Sequence, residues 1–279
     1  MGELNASGGD SLRRLEQDLR KLDSAVLALS GGLDSSFLLY ALKEAGGRTL
    51  AITGDSPTTP ARDLRDAECI AMELEVPHRF IETNEMEHEG FRENSPERCF
   101  LCKDVLFTQL TGIAKDEGYS AVLDGTTADD LKDHRPGLRA AKAHGVLSPL
   151  AECGMTKQVI REAARAANLS VSEKPASPCL SSRFSYGTRI TPEGLKRVSK
   201  AEDYLIRLGL NEFRVRDTDG SARIEVSPGQ MDMVFRMRKE IVSVFKGLGY
   251  RFVSLDLEGF ASGKLNRVLI KDKKDKPEG

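Results

Sequence analysis

The chain has 279 residues, room for one large domain or two smaller ones around a real core. Its 41 basic and 43 acidic side chains nearly cancel to a net charge of −2, so no bulk electrostatic pull draws it toward nucleic acid. No apolar run approaches the roughly 18 residues of a bilayer span, and the first residues lack the basic start and apolar core of a signal peptide. A cytoplasmic protein without membrane or nucleic-acid partners is the expectation.

In chain order, Leu12, Leu15, Leu19 and Leu22 recur at helical spacing and predict an opening amphipathic helix. Ala25 to Leu29 is a continuous apolar run ending in glycines, the pattern of a buried parallel strand, and a helix continues from Phe37 to Leu42. The alternation then repeats: strand Thr49 to Thr53, helix Ala61 to Leu74, strand His78 to Ile81, helix Lys103 to Glu117, strand Ala121 to Leu123. A helix from Thr156 to Asn168 follows, with Thr156 as its N-cap. Strands alternating with helices predict an α/β fold with a parallel sheet covered on both faces.

The pattern changes near Pro192. A helix from Glu193 to Leu208, a hairpin of Phe213 to Arg216 and Ala222 to Val226 around Asp219-Gly220, a helix from Gln230 to Leu248 and a strand from Arg251 to Leu257 predict a smaller α+β domain. The serine- and proline-bearing segment Lys174 to Tyr186 is the connection. The expected division is residues 1–185 for the parallel-sheet domain, 186–270 for the second domain and 271–279 for a charged, disordered tail.

Ser30-Gly31-Gly32-Leu33-Asp34-Ser35 lies between the first buried strand and its helix. Glycines let such a loop turn its N–H groups toward an anion, and the helix dipole favours negative charge there. Ser30 and Ser35 can donate hydroxyl hydrogen bonds and Asp34 can help place Mg²⁺. An isolated Ser-Gly-Gly reads better as a helix-capping turn; the strand before, the helix after and the Asp-Ser ending move the reading to phosphate. The loop lacks the Gly-Lys-Ser/Thr ending of the Walker loop, so γ-phosphate transfer is less expected. Leu123 to Asp130 follows another strand, and loops at the carboxyl ends of parallel strands converge on one crevice. Gly125 and Thr126 are therefore expected to face the same nucleotide, with Asp129 and Asp130 near its metal or, alternatively, simply solvated. Together the two loops resemble the PP-loop ATP pyrophosphatases, which have an adenine nucleotide α-hydrolase-like fold and split ATP to AMP and pyrophosphate while adenylylating a substrate.

The odd cysteine count of five, in a reducing compartment, argues against a disulfide framework. Cys99 and Cys102 have a spacing suited to one metal or cluster, although a lone CxxC also fits a redox pair. Cys179 lies beside Lys174 and Arg183, cations that would favour its thiolate; Cys69 and Cys153 fit the reading of buried, inert cysteines better. The four histidines show no ligand spacing, and Asp133 to Gly137 reads as a simple turn. Arg214 and Arg216 share one strand face, with Arg223 and Glu225 near them across the hairpin; the patch suits a phosphate or, equally, a solvated outer face.

The phosphate loop, Arg98 to Lys103, Asp124 to Asp130, Lys174 to Ile190 and Asp256 to Asn266 together resemble the LarE family of sulfur transferases of nickel-pincer nucleotide biosynthesis. The resemblance implies an ATP-dependent sulfurtransferase that adenylylates a carboxylate of pyridinium-3,5-dicarboxylate mononucleotide and converts it to a thiocarboxylate. It implies Cys99, Cys102 and Cys179 as ligands of a [4Fe-4S] cluster that carries the sulfur; the alternative is sacrificial donation from Cys179. It implies catalytic roles for Cys179, Glu202 and Arg183 and phosphate contacts for Arg214 and Arg216. A homo-oligomer (dimer or hexamer) acting between an upstream carboxylase and a downstream nickel insertase is also implied. A tRNA thiolase and an amide synthetase are the competing activities; the second leaves the cysteine triplet unexplained.

Overall fold

The computed structural model describes residues 6–132, 136–261 and 263–267. Two compact units emerge. The first holds the described residues up to Phe91 together with Pro96–Ser177; the second holds Arg92–Ser95 and the described residues from Pro178 onward.

The first unit opens with α1 (Ala6–Leu19) and continues through β1 (Ser24–Ala28), α2 (Leu33–Ala45), β2 (Arg48–Asp55), α3 (Ala61–Glu73) and β3 (His78–Glu82). The turn α4 (Glu89–Arg92) leads to α5 (Arg98–Asp116), β4 (Ala121–Leu123), α6 (Pro136–Ala143), the turn α7 (Pro149–Glu152) and α8 (Lys157–Ala166). Its sheet has the order β3-β2-β1-β4, with β1 parallel to both β2 and β4 and β2 parallel to β3. Side chains alternate across each strand. Ala25 and Leu27 of β1 join a core with Phe37, Leu38, Ile70 and Ile160, whereas Val26 joins Leu50, Ile52, Phe107 and Leu110 on the other face. Both faces are covered, as the continuous apolar strands require.

Two helices start earlier than their periodicity indicates. α2 begins at Leu33, directly after the glycines, so Gly32 is its N-cap and the loop sits on the helix N-terminus. α5 begins at Arg98, which places Cys99 and Cys102 inside its first turns. Thr156 caps α8 by accepting from the Val159 amide at 3.3 Å.

In the second unit, α9 (Pro192–Arg207) precedes the hairpin of β5 (Phe213–Thr218) and β6 (Ser221–Val226); α10 (Met231–Arg236), α11 (Arg238–Gly247) and β7 (Phe252–Leu255) follow. β6 pairs antiparallel with β5 and parallel with β7. Phe213, Val215, Ile224 and Val226 face a core shared with Leu205, Ile241 and Phe245, which leaves Arg214, Arg216, Arg223 and Glu225 on the opposite face. The single helix expected over Gln230 to Leu248 is broken at Met237, whose ψ of 6° leaves the helical range. Arg238 stabilises the break, donating to the Phe235 carbonyl at 3.0 Å with its guanidinium 4.6 Å from that ring.

Candidate functional site

In the first unit the two expected nucleotide loops touch. Gly125 lies so close to the start of α2 that a Cβ there would sit 2.8 Å from the Ser35 amide nitrogen and 2.9 Å from its Cα. Only glycine permits that approach. Gly31 has φ +68° and is equally confined: a Cβ would lie 2.3 Å from the Asp63 carbonyl oxygen of α3. Within the loop the Ser30 amide donates to Ser35 Oγ at 3.1 Å, the two hydroxyls are 2.9 Å apart, and the Gly32 amide donates to Ser30 Oγ at 3.3 Å. The turn is thus a small ring of donors held by weak internal bonds, one that an anion can replace. Asp34 is half-buried in the first turn of α2.

Asp124, 2% exposed, organises the second loop. It accepts from the Thr126 amide (3.1 Å), the Thr126 hydroxyl (2.8 Å) and the Ser148 hydroxyl (2.8 Å). Lys103 of α5 brings its ammonium to 3.7 Å from the same carboxylate. The helix that carries Cys99 and Cys102 is thereby fastened to the loop that rests on Ser35. α6 closes over it at Gly137, where a Cβ would lie 3.2 Å from Lys103 Cγ. Sequence reasoning gave Lys103 no role; its position immediately after Cys102 was the available signal.

Asp129 is half-buried and Asp130 buried, and both are bonded. Asp129 accepts from the Lys157 amide at 2.8 Å, and that bond, joined by Lys132, outweighs partial burial and holds the carboxyl below its ordinary value. Asp130 accepts from the Thr127 amide at 3.1 Å and pairs with the Lys157 ammonium at 2.9 Å. Both acids serve the start of α8. Lys174, expected to influence Cys179, instead donates to the Gly31 carbonyl at 2.7 Å and pairs with Asp63 at 2.9 Å and with Asp66.

Cys99 and Cys102 are three positions apart on α5 and share a face; Cys99 is exposed and Cys102 half-buried. Cys153 is buried as expected, but Cys69 is exposed, because it lies on the outward face of α3. Burial pushes the Cys153 thiol up, and the nearby Asp18 charge adds to this, to about 11. Among the described residues, no group of three or more His, Cys, Asp and Glu side chains is gathered as a metal cage.

In the second unit, half-buried Cys179 precedes a 3-10 turn, Leu180–Arg183. Arg183 is fully buried. Its Nη1 donates to the carbonyls of Pro178 (2.6 Å) and Cys179 (3.1 Å), while Nε and Nη2 donate to the Glu202 carboxylate at 2.9 and 2.8 Å. Burial pushes the Glu202 carboxyl up, but the Arg183 charge and hydrogen bonds, with the Val215 amide, outweigh it and hold the group below its ordinary value. Both side chains are fully engaged in fixing the backbone around Cys179. Asn94 laces the following loop, donating to the Phe184 and Ser185 carbonyls at 3.2 and 2.7 Å. Sequence reasoning passed over it; in the structure it takes a left-handed φ of +55°, which asparagine tolerates.

The arginine face of the hairpin is partly buried, Arg216 and Glu225 being enclosed and Arg223 exposed. Arg216 is 7% exposed, donates to Glu225 through Nε (3.0 Å) and Nη2 (2.8 Å), and reaches the Ser182 carbonyl at 2.8 Å. Arg223 joins Glu225 to Asp256, and Lys264 pairs with Asp256 at 2.8 Å. Half-buried Arg214 lies 4.9 Å from the Phe260 ring. Asp133, His134, Arg135, Ser262 and the tail fall outside the described residues. Among the described residues, no helix is long and apolar enough to cross a membrane.

No protein-family model matches the chain. It is 43% identical over 263 residues to an uncharacterised protein of Synechocystis, covering 93% of this chain and 98% of that one. It is 32% identical over 255 residues to the pyridinium-3,5-bisthiocarboxylic acid mononucleotide synthase of Lactiplantibacillus plantarum, covering 91% and 92%. A more distant likeness, 26% over 268 residues and 80% of the chain, is to the tRNA-specific 2-thiouridylase of Methylorubrum extorquens. The touching glycine loops on a parallel sheet and the extent of these matches agree: the chain belongs to the LarE family of ATP-dependent sulfur transferases, within the PP-loop superfamily.

Proposed function

We propose that the chain activates a carboxylate of pyridinium-3,5-dicarboxylate mononucleotide with ATP and exchanges one of its oxygens for sulfur. The observation that carries this reading is the link from α5, bearing Cys99 and Cys102, through Lys103 to Asp124, whose loop rests on Ser35. It supports a reading in which the thiols of α5 and the nucleotide belong to one unit. ATP phosphates would lie on the amides of Ser30 to Ser35, beside Gly125 and Thr126, with Asp34 holding Mg²⁺. A substrate carboxylate oxygen attacks the α-phosphorus and pyrophosphate leaves with the bonding electron pair. Sulfide then attacks the acyl carbon and AMP departs, leaving the thiocarboxylate. Arg214 and Arg216 would hold the substrate phosphate, and Arg183 and Glu202 would hold the backbone of Cys179 in place.

A [4Fe-4S] cluster held by Cys99, Cys102 and Cys179 would supply the sulfur. The donor set supports this: two thiols, one exposed and one half-buried, share one helix face, whereas the Cys153 thiol is buried and raised. A homo-oligomer working in the cytoplasm between a carboxylase and a nickel insertase completes the proposal. Pyrophosphate release that requires the mononucleotide tests the activation step. Anaerobic purification with iron and sulfide analysis of the parent, Cys99→Ala, Cys102→Ala and Cys179→Ala tests the sulfur source, the chromophore being lost in all three. Dehydroalanine at Cys179 in an iron-free active protein would instead establish sacrificial donation. The likeness to the thiouridylase favours tRNA thiolation as the second reading, and salt-sensitive binding of tRNA by the chain would support it.

A further inference from the structure

We infer that Lys174 is a positioning residue for the phosphate loop, drawing the Gly31 carbonyl outward so that the next amide, Gly32 N–H, faces the bound phosphate. The inference rests on the reading that this loop binds nucleotide phosphate. A trans peptide places its C=O and the following N–H on opposite sides of one plane, so a strong bond to one fixes the aim of the other. Lys174 Nζ lies 2.7 Å from the Gly31 oxygen, and the Gly32 amide points the other way, toward Ser30 Oγ at 3.3 Å. Gly31 has φ +68° and no side chain, so its peptide would otherwise be among the freest in the loop.

The ammonium is itself held from several sides. Its side chain is 13% exposed and pairs with Asp63 at 2.9 Å and with Asp66. Asp63 also accepts from the Ser177 hydroxyl at 2.7 Å, and Arg62 donates to that hydroxyl at 3.2 Å. Arg161 grips the same strap through the Ser172 and Lys174 carbonyls, at 2.5 and 3.1 Å. Two carboxylates around one ammonium leave no positive charge to spare for a phosphate, so Lys174 acts through the carbonyl it holds rather than as a phosphate ligand.

The test measures binding of ATP, inorganic pyrophosphate and pyridinium-3,5-dicarboxylate mononucleotide to the full chain by calorimetry. Lys174→Met should weaken ATP and pyrophosphate by about tenfold or more, the worth of a hydrogen bond from a charged donor, and leave the mononucleotide unchanged. Lys174→Arg, which can still reach the carbonyl, should restore most of the loss. The ¹³C carbonyl resonance of Gly31 should shift in Lys174→Met and return in Lys174→Arg. Asp66→Asn separates the two possible roles: freeing a direct phosphate ligand would tighten ATP, whereas a positioning ammonium gives equal or weaker binding. Parent-like ATP affinity in Lys174→Met, or tighter binding in Asp66→Asn, overturns the inference. If Lys174→Met does not fold, Lys174→Arg and Asp66→Asn still decide it. A parent chain that binds neither ATP nor pyrophosphate sinks the nucleotide reading itself.

Discussion

The Arg183–Glu202 pair is the interaction whose loss is best defined by the structure. The two side chains are 0% and 4% exposed, and Arg183 donates two parallel hydrogen bonds to the carboxylate. Glu202→Ala strands a fully buried guanidinium and frees the Val215 amide that Glu202 accepts from at 3.1 Å. Removing one partner of a buried pair costs about 3–5 kcal/mol, against about 0–1 kcal/mol for an exposed one. Urea unfolding followed by circular dichroism reads the difference at pH 7. A double replacement, Arg183→Met with Glu202→Met, should recover much of the loss, because a packed apolar pair carries no desolvation penalty. The pH dependence gives a second readout. A carboxyl lowered in the folded state stabilises it above its unfolded pKa of about 4.3, and that contribution fades as pH falls through the lower folded value. The parent should lose this stability in acid while Glu202→Gln shows no such step. A cost below 1 kcal/mol for Glu202→Ala, or identical acid profiles, would refute the reasoning.

Gly125→Ala should abolish ATP binding with the fold retained, since the added Cβ meets the Ser35 backbone at 2.8 Å; unchanged ATP affinity by calorimetry would count against the touching loops. Arg214→Ala should weaken mononucleotide binding at unchanged thermal stability. Arg216→Ala should also lower the melting temperature, because it deprives Glu225, fully buried, of its two-pronged partner. Iodoacetamide at pH 8 should alkylate exposed Cys69 well before Cys153, whose thiol at about 11 is mostly protonated there; mass spectrometry of the peptides gives the order.

The parts of the fold set by local rules were legible in the sequence. The apolar run Ala25 to Leu29 gave a strand buried on both faces, Thr156 gave a cap, and Asp219-Gly220 gave a hairpin turn. The alternation of Arg214 and Arg216 placed them on one face, where the structure has them. The illegible parts depend on partners far away in sequence. Lys174 stands five residues from Cys179 in the chain, yet its ammonium pairs with Asp63 and Asp66, more than a hundred residues back. Asp129 reads as a metal-side or a solvated acid from its place after the second glycine loop, and only the fold shows it accepting from the Lys157 amide. The break at Met237 leaves no mark in composition, because neither glycine nor proline makes it.

The two units meet one physical problem in the same way. A loop that must present donors or a thiol has few backbone bonds of its own, so its carbonyls need holding from outside. In the first unit an ammonium holds the Gly31 carbonyl; in the second a guanidinium holds those of Pro178 and Cys179. Each cation is enclosed by carboxylates, Asp63 and Asp66 for one and Glu202 for the other. The enclosure removes the cost of an unpaired buried charge. It also prevents the cation from competing with the loop for an anionic ligand. Charged residues close to a reactive loop therefore divide into those that meet the ligand and those that shape the loop. Proximity in sequence does not separate the two classes. What separates them is whether the charge is already matched before the ligand arrives, and by that criterion Lys174 and Arg183 shape the loops.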